Sequence, residues 1–180
     1  MKKHLFQRLF PTEYVPSIYE YDFEKAYNEG KRLILFDIDN TLVPHGAPAD
    51  ERAIELFKRL HQIGFRTCLI SNNKEPRVKS FCDQVGSTYI FKAGKPKTNG
   101  YRQAMDMLGS RPDNTLFIGD QIFTDVLGAR LCGLRTIMVK PIHPKEEIQI
   151  ILKRIPEKAV LFFYKRKRKR MDRRKRKGKD

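Results

Sequence analysis

The sequence predicts an α/β fold, one parallel sheet of five strands sandwiched between two layers of helices. Three observations lead to it. Apolar runs of strand length alternate with stretches whose apolar residues recur at helical spacing. Glycines and other turn-forming residues stand between many of these segments. Carboxylates, a hydroxyl and a lysine follow the apolar runs, and open parallel sheets bind their ligands at the carboxyl ends of the strands.

Residues 1–30 read as an entry segment with many large apolar groups, among them Leu5, Phe6, Leu9, Phe10, Tyr14, Val15, Ile18 and Tyr19, and with Lys2, Lys3 and Arg8 near its start. Pro11 and Pro16 deny it one long helix. It either packs on the core or lies at a membrane surface as an amphipathic piece. Residues 21–27 form a short helix ended by Gly30. The apolar run 33–38 is strand one. Asp50 caps a helix that buries Ala53, Phe57 and Leu60, runs to Ile63 and stops at Gly64. Residues 66–71 are strand two. Val78, Phe81, Cys82 and Val85 fall at i, i+3, i+4 and i+7, one face of a helix. Residues 88–91 are strand three, and Tyr101, Ala104, Met105 and Leu108 repeat the helical spacing. Residues 115–119 are strand four, 124–132 a helix and 136–139 strand five. Ile148, Ile151, Leu152 and Ile155 mark the last helix. The result is a Rossmann-like three-layer sandwich.

A chain of 180 residues with 40% hydrophobic content suits one domain with a real core. No apolar run approaches membrane-spanning length, and the N-terminus lacks the apolar stretch of a secretory signal. Cys68, Cys82 and Cys132 show no paired spacing. An odd count without an export signal fits a reducing cytoplasm, with Cys68 and Cys132 expected as buried thiols. The formal charge of +16 is unusual. Residues 165–180 hold twelve Lys or Arg against two Asp, so this run carries +10 and the rest of the chain +6. Such a run repels itself and buries little, which predicts a disordered tail over 161–180. It seeks polyanions, either anionic lipid or, through residues 165–177, nucleic acid. A solvated tail with no dedicated partner is the plainer alternative.

The chemistry concentrates in 33–42, Leu-Ile-Leu-Phe-Asp-Ile-Asp-Asn-Thr-Leu. Asp37 ends a buried strand, and a turn directly after it lets Asp39 face the same point. One carboxylate attacks while its neighbour moves protons. Asp37 is the candidate nucleophile, Asp39 the candidate general acid and base, and Thr41 a hydroxyl that holds the loop. Strand two closes on Ser71-Asn72-Asn73, an anion cradle or simply a turn. Lys95, after strand three, places an ammonium to neutralise the nucleophile and the transferred group. Lys92 and Lys97 compete for this role, and Pro96 stiffens the setting of Lys95. Strand four runs into Gly119-Asp120-Gln121-Ile122-Phe123-Thr124-Asp125, where Gly119 permits close backbone approach. Asp37, Asp39, Asp120 and Asp125 cannot share a pocket near neutral pH without cations. His45 is assigned to a loop near the site and His61 to a helix surface, since neither has the spacing of a metal site.

Taken in order, Asp37-x-Asp39-x-Thr41, Ser71, Lys95-Pro96 before Gly100-Tyr101, and Gly119-Asp120 followed by Asp125 resemble the four motifs of the haloacid dehalogenase superfamily of phosphatases. The likeness spans residues 33–140. It implies strand order 3-2-1-4-5 and an aspartyl-phosphate on Asp37. It also implies a phosphoryl-binding Ser71 and a Mg²⁺ ion held by the Asp37 side chain, the Asp39 backbone carbonyl, Asp120 and, directly or through water, Asp125. The gaps from Thr41 to Ser71 and from Ser71 to Lys95 leave no room for a cap domain, and an open site suits a phosphate carried on something large. Phe10-Pro11-x-x-Tyr14-Val15-x-Ser17-Ile18, together with residues 35–42, resembles a capless branch related to mitochondrial phosphatidylglycerophosphate phosphatases.

That branch implies a Mg²⁺-dependent hydrolysis of phosphatidylglycerophosphate to phosphatidylglycerol. The enzyme would be cytoplasmic and peripheral on the inner face of the membrane, docked through the entry segment and the basic tail. The alternative is a phosphatase of protein, nucleic-acid or small-metabolite phosphoesters whose tail binds RNA. A non-enzymatic binding module would have lost Asp37, Asp39 or Asp120. The predicted organisation is an entry segment over 1–30, a phosphatase domain over 31–160 and a tail over 161–180.

Overall fold

Parallel strands in the order β4-β3-β2-β5-β6-β1 form the centre of the molecule. The computed structural model describes residues 6–143 and 148–177, and of the last helix the side chains of 155–172. The strands are β1 (Glu13–Val15), β2 (Leu33–Phe36), β3 (Arg66–Ile70), β4 (Thr88–Ile90), β5 (Thr115–Gly119) and β6 (Arg135–Val139). Five of them keep the expected order. The sixth is a correction: β1 comes from the entry segment and pairs with the β6 edge, Val15 opposite Val139. Thr12 and Thr136 lock this pairing by exchanging backbone N–H to hydroxyl bonds of 3.0 and 3.1 Å.

The helices are α1 (Phe23–Asn28), α2 (Glu51–Ile63), α3 (Glu75–Val85), α4 (Asn99–Met107), α5 (Leu127–Leu131) and α6 (Ile148–Lys177). Asp22 and Asp50 cap α1 and α2, each side chain accepting from a backbone N–H 2.9 or 2.8 Å away. Gly64 ends α2 in the left-handed conformation, with φ of 105°. The expected helix over 124–132 is instead a π turn, Ile122–Val126, that leads into the short α5.

Alternation along β2 splits the core between the two faces of the sheet. Ile34 and Phe36 join Phe57, Leu60, Phe81 and Val85 of α2 and α3. Leu33 and Leu35 join Tyr101, Ala104 and Met105 of α4 and Ala129 of α5. Cys68 is fully buried and Cys132 only half-buried, and all three thiols are free. His61 lies exposed on α2, as expected, its Nε2 3.0 Å from the Thr67 hydroxyl.

A third cluster joins the two ends of the chain. Leu9, Phe10 and Tyr14 pack with Ile122, Val126, Met138 and Val160. Helix α6 corrects the sequence reading, because residues 165–177 continue it rather than form an irregular tail. Lysine and arginine are good helix formers, and packing at Val160 and Tyr164 supplies the nucleus they lack alone. Tyr164 meets Phe10 at 5.9 Å, and Lys167 lies 5.6 Å from the centre of the Phe10 ring. Only one residue of the expected apolar face is among those whose side chains are described. Ile155 is exposed, and the side chains of Ile148, Ile151 and Leu152 lie outside the described residues, as do Lys2, Lys3 and Leu5.

One buried residue of α6 is polar and reaches the π turn. Glu157 is buried and accepts the Ile122 backbone N–H at 2.6 Å. Replacing it with alanine leaves that amide without its acceptor, an expected loss of about 1–3 kcal/mol. Thermal unfolding of Glu157→Ala against wild type measures this.

Candidate active site

Register decides where the polar residues surface. Phe36 lies opposite both Leu69 and Ile118, so the residues that follow them emerge along one edge of the sheet. Asp37 leaves β2 there, still tied to β5 by its N–H to the Ile118 carbonyl at 2.9 Å. The chain then folds tightly: Asn40 takes a left-handed φ of 61° and bonds Val43 at 2.7 Å. Asparagine tolerates this conformation better than most residues. Ser71 follows β3, its N–H bonded to the Ile90 carbonyl at 3.0 Å and its hydroxyl accepting from the Asn73 N–H at 3.1 Å.

Asp37, Asp120 and Asp125 converge. Each offers a carboxylate oxygen, and these oxygens lie within 4.8 Å of one another, with all three residues buried. The Lys95 ammonium enters the same cluster, 2.5 Å from Asp37 Oδ1 and 2.7 Å from Asp125 Oδ1. The Thr41 hydroxyl stands 3.4 Å from both Asp37 and Asp120. Burial pushes the Asp37 carboxyl from an ordinary 3.8 up to about 7; Lys95 pulls the other way and Asp125 adds to the rise. Burial works against the Lys95 charge too, but Asp125 and Asp37 outweigh it and hold the ammonium above its usual range.

Asp39 occupies a neighbouring position. Its carboxylate accepts the Gly46 N–H at 2.8 Å, Arg77 Nη2 at 3.0 Å and Asn73 Nδ2 at 2.5 Å. Three donors from three different segments fix its orientation. His45 is exposed in the loop between Thr41 and α2.

Several supporting residues carried little or no sequence signal. The Asn72 side chain clamps the Lys95 backbone from both sides, accepting its N–H at 2.8 Å and donating to its carbonyl at 3.2 Å. Asn72 and Asn73 are therefore more than turn formers. Arg77 is one arginine among many in a basic chain, and only its position one turn into α3 brings it to Asp39. Gly119 is required by Asp125: a Cβ there would lie 2.6 Å from its Oδ2. Gly128 similarly makes room for the Tyr101 ring, whose hydroxyl donates to the Thr124 carbonyl at 3.1 Å. The π turn holds Asp125 so that its Oδ2 accepts the Gln121 N–H at 3.1 Å.

A buried carboxylate at a strand end, an ammonium against it and a cluster of carboxylate oxygens make an arrangement suited to phosphoryl transfer. Comparison with known proteins agrees. A family profile for haloacid dehalogenase-like hydrolases matches residues 46–133. The "Probable phosphatase YqeG" of Bacillus subtilis (strain 168) is 35% identical over 158 residues, covering 87% of this chain and 92% of that protein. Among solved structures, the 3-deoxy-D-manno-octulosonate 8-phosphate phosphatase of Yersinia pestis superposes with a TM-score of 0.53 at 17% identity, over 67% of this chain and 69% of that one. The corresponding Moraxella catarrhalis enzyme, solved with magnesium, phosphate and KDO, gives a TM-score of 0.50 at 16% identity, over 64% and 73%. These two likenesses speak to the fold alone. With a near full-length relative at that identity and the carboxylate cluster at the sheet edge, the chain belongs to the haloacid dehalogenase-like hydrolases and is a phosphatase of that family.

Proposed function

We propose that this phosphatase works through an aspartyl-phosphate on Asp37, depends on Mg²⁺ and dephosphorylates phosphatidylglycerophosphate at an anionic membrane. The observation that carries the chemistry is the contact of Lys95 with Asp37 inside the buried carboxylate trio.

The donor set fits magnesium. The trio offers oxygen ligands only, and its three carboxylates exceed the single Lys95 ammonium by two charges when ionised. The ion would be held by Asp37, Asp120, Asp125 and the Asp39 carbonyl. When bound it supplies a Lewis acid to the phosphoryl oxygens. The chain does the rest. An Asp37 carboxylate oxygen attacks phosphorus, the bond to the leaving oxygen breaks, and Asp39 gives that oxygen its proton. Asp39 then takes a proton from water, which attacks the aspartyl-phosphate, freeing inorganic phosphate and Asp37. Ser71 holds a phosphoryl oxygen, and Lys95 offsets the charge gathered there. Asn73 and Arg77 keep Asp39 in place through both steps. Treatment with EDTA is expected to stop turnover and added Mg²⁺ to restore it; a rate indifferent to EDTA would remove Asp120 as a ligand.

The substrate reading draws on how open the site is and on charge. Only α2 and β3 separate Thr41 from Ser71, and only α3 and β4 separate Ser71 from Lys95, which supports reading the site as capless. Beside the cationic run of α6, Phe6, Phe162 and Phe163 are exposed, an apolar patch set among basic residues as bilayer docking requires. Among the described residues no helix is long and apolar enough to cross a membrane. The test is hydrolysis of phosphatidylglycerophosphate, with vesicle co-sedimentation of the full chain and of a chain lacking residues 165–180. Brisk turnover of a soluble phosphoester without turnover of that lipid would end this reading. Retention of the full chain on RNA but not on anionic vesicles would favour a nucleic-acid partner for the basic run.

A further inference from the structure

We infer that the cleft between the entry segment and the end of β6 is a subsite for a second phosphate on the substrate's leaving group. The inference rests on the phosphatase reading above and adds which phosphoesters the site prefers.

The cleft encloses about 570 Å³ and is lined by residues 16–19, Thr41, Arg52 and residues 139–142. Thr41 is the link to catalysis: the residue whose hydroxyl stands 3.4 Å from Asp37 and Asp120 also forms a wall of this space. Both sides of the cleft are tied to the catalytic loop. On one side the Tyr19 hydroxyl donates to the Leu42 carbonyl at 2.6 Å. On the other the Ile142 N–H donates to the Asn40 carbonyl at 3.1 Å. The cleft is therefore held in register with the reacting carboxylates.

Its lining selects charge. Among the described residues that line it, Arg52 and Lys140 are cations and none is a carboxylate, although Arg52 also borders a neighbouring depression with Glu51 and Glu55. Arg52 is oriented by stacking over the Tyr19 ring, 4.2 Å from its centre. Lys140 is set by the edge pairing that continues β6, its N–H reaching the Val15 carbonyl at 3.3 Å. The remaining surface is largely apolar, from Pro16, Ile18, Val139, Pro141 and Ile142. A leaving group with a short neutral linker and a further phosphate matches this arrangement: the linker lies on the apolar wall and the anion meets the arginine fork and the ammonium. Such a group occurs on a phospholipid headgroup or on a free bisphosphate.

The experiment measures kcat/KM for sn-glycerol 3-phosphate, glycerol 1,3-bisphosphate and phosphatidylglycerophosphate in mixed micelles. It compares the wild type with the double variant Arg52→Ala, Lys140→Ala and the charge-keeping variant Arg52→Lys, Lys140→Arg. Wild type is expected to prefer the bisphosphate over the monophosphate at least ten-fold. The alanine pair is expected to erase that preference mainly through KM, and the charge-keeping pair to retain most of it. No preference in the wild type, or full preference in the alanine pair, overturns the subsite. Loss of lipid turnover with the soluble preference intact removes the lipid reading and leaves the subsite standing. Lipid turnover that is unaffected in the alanine pair removes the subsite and leaves the lipid reading.

Discussion

Asp37→Asn is expected to lower turnover by about 10⁴-fold or more, because the attacking oxygen is gone and nothing nearby replaces it. The fold is expected to survive. Asparagine has nearly the same shape, and the lost charge was an expensive one: burial and Asp125 push the Asp37 carboxyl up to about 7. An acid whose folded value is raised stabilises the protein while protonated. That contribution is lost as pH rises from its ordinary 3.8 through about 7. At pH 8 in EDTA the variant is therefore expected to melt no lower than the wild type. Adding Mg²⁺ is expected to raise the melting temperature of the wild type more than that of the variant, since one donor has become neutral. A variant that hydrolyses substrate at near wild-type rate would remove Asp37 as nucleophile.

Lys95→Met is expected to destabilise the fold more than Asp37→Asn does. Methionine keeps much of the length of the side chain, and the Asn72 clamp on the backbone is untouched, so the change isolates the charge. Asp37 and Asp125 then lose the ammonium that contacts both. Breaking a buried ion pair on one side costs about 3–5 kcal/mol, visible as a lower urea midpoint. The deficit is expected to shrink as pH falls through about 7, because Asp37 then takes up a proton and its repulsion with Asp125 is relieved, and to shrink on adding Mg²⁺. Activity is expected to fall by about 10²–10³-fold even when the metal is saturating, from lost stabilisation of the transferred group. Equal urea midpoints for variant and wild type at neutral pH would show that the pair contributes no net stability.

The sheet was legible because its strands are short apolar runs that end in chemistry, and Asp37, Lys95, Asp120 and Asp125 were legible because each follows such a run. Three things were not. Strand β1 has only three residues, between Pro11 and Pro16, and owes its existence to pairing with β6 rather than to its own pattern. The helical state of 165–177 depends on Val160 and Tyr164 packing against residues nearly the whole chain length away. The roles of Asn72, Asn73 and Arg77 arise from contacts across 23 to 38 residues, and no local spacing encodes them. Side chains that hold the carboxylate cluster depend on tertiary geometry, whereas the members of the cluster announce their position by following a strand.

Glu157 gives α6 a mechanical meaning. The 21 residues from Glu157 to Lys177 make a rod about 30 Å long at helical rise. Its near end grips the amide two residues past Asp120, and its far end is almost wholly cationic. A load placed on the far end would therefore reach the segment between Asp120 and Asp125 through Glu157, as well as the entry segment through Tyr164. Shortening the rod beyond Tyr164 spares that grip, while a cut before Glu157 releases it.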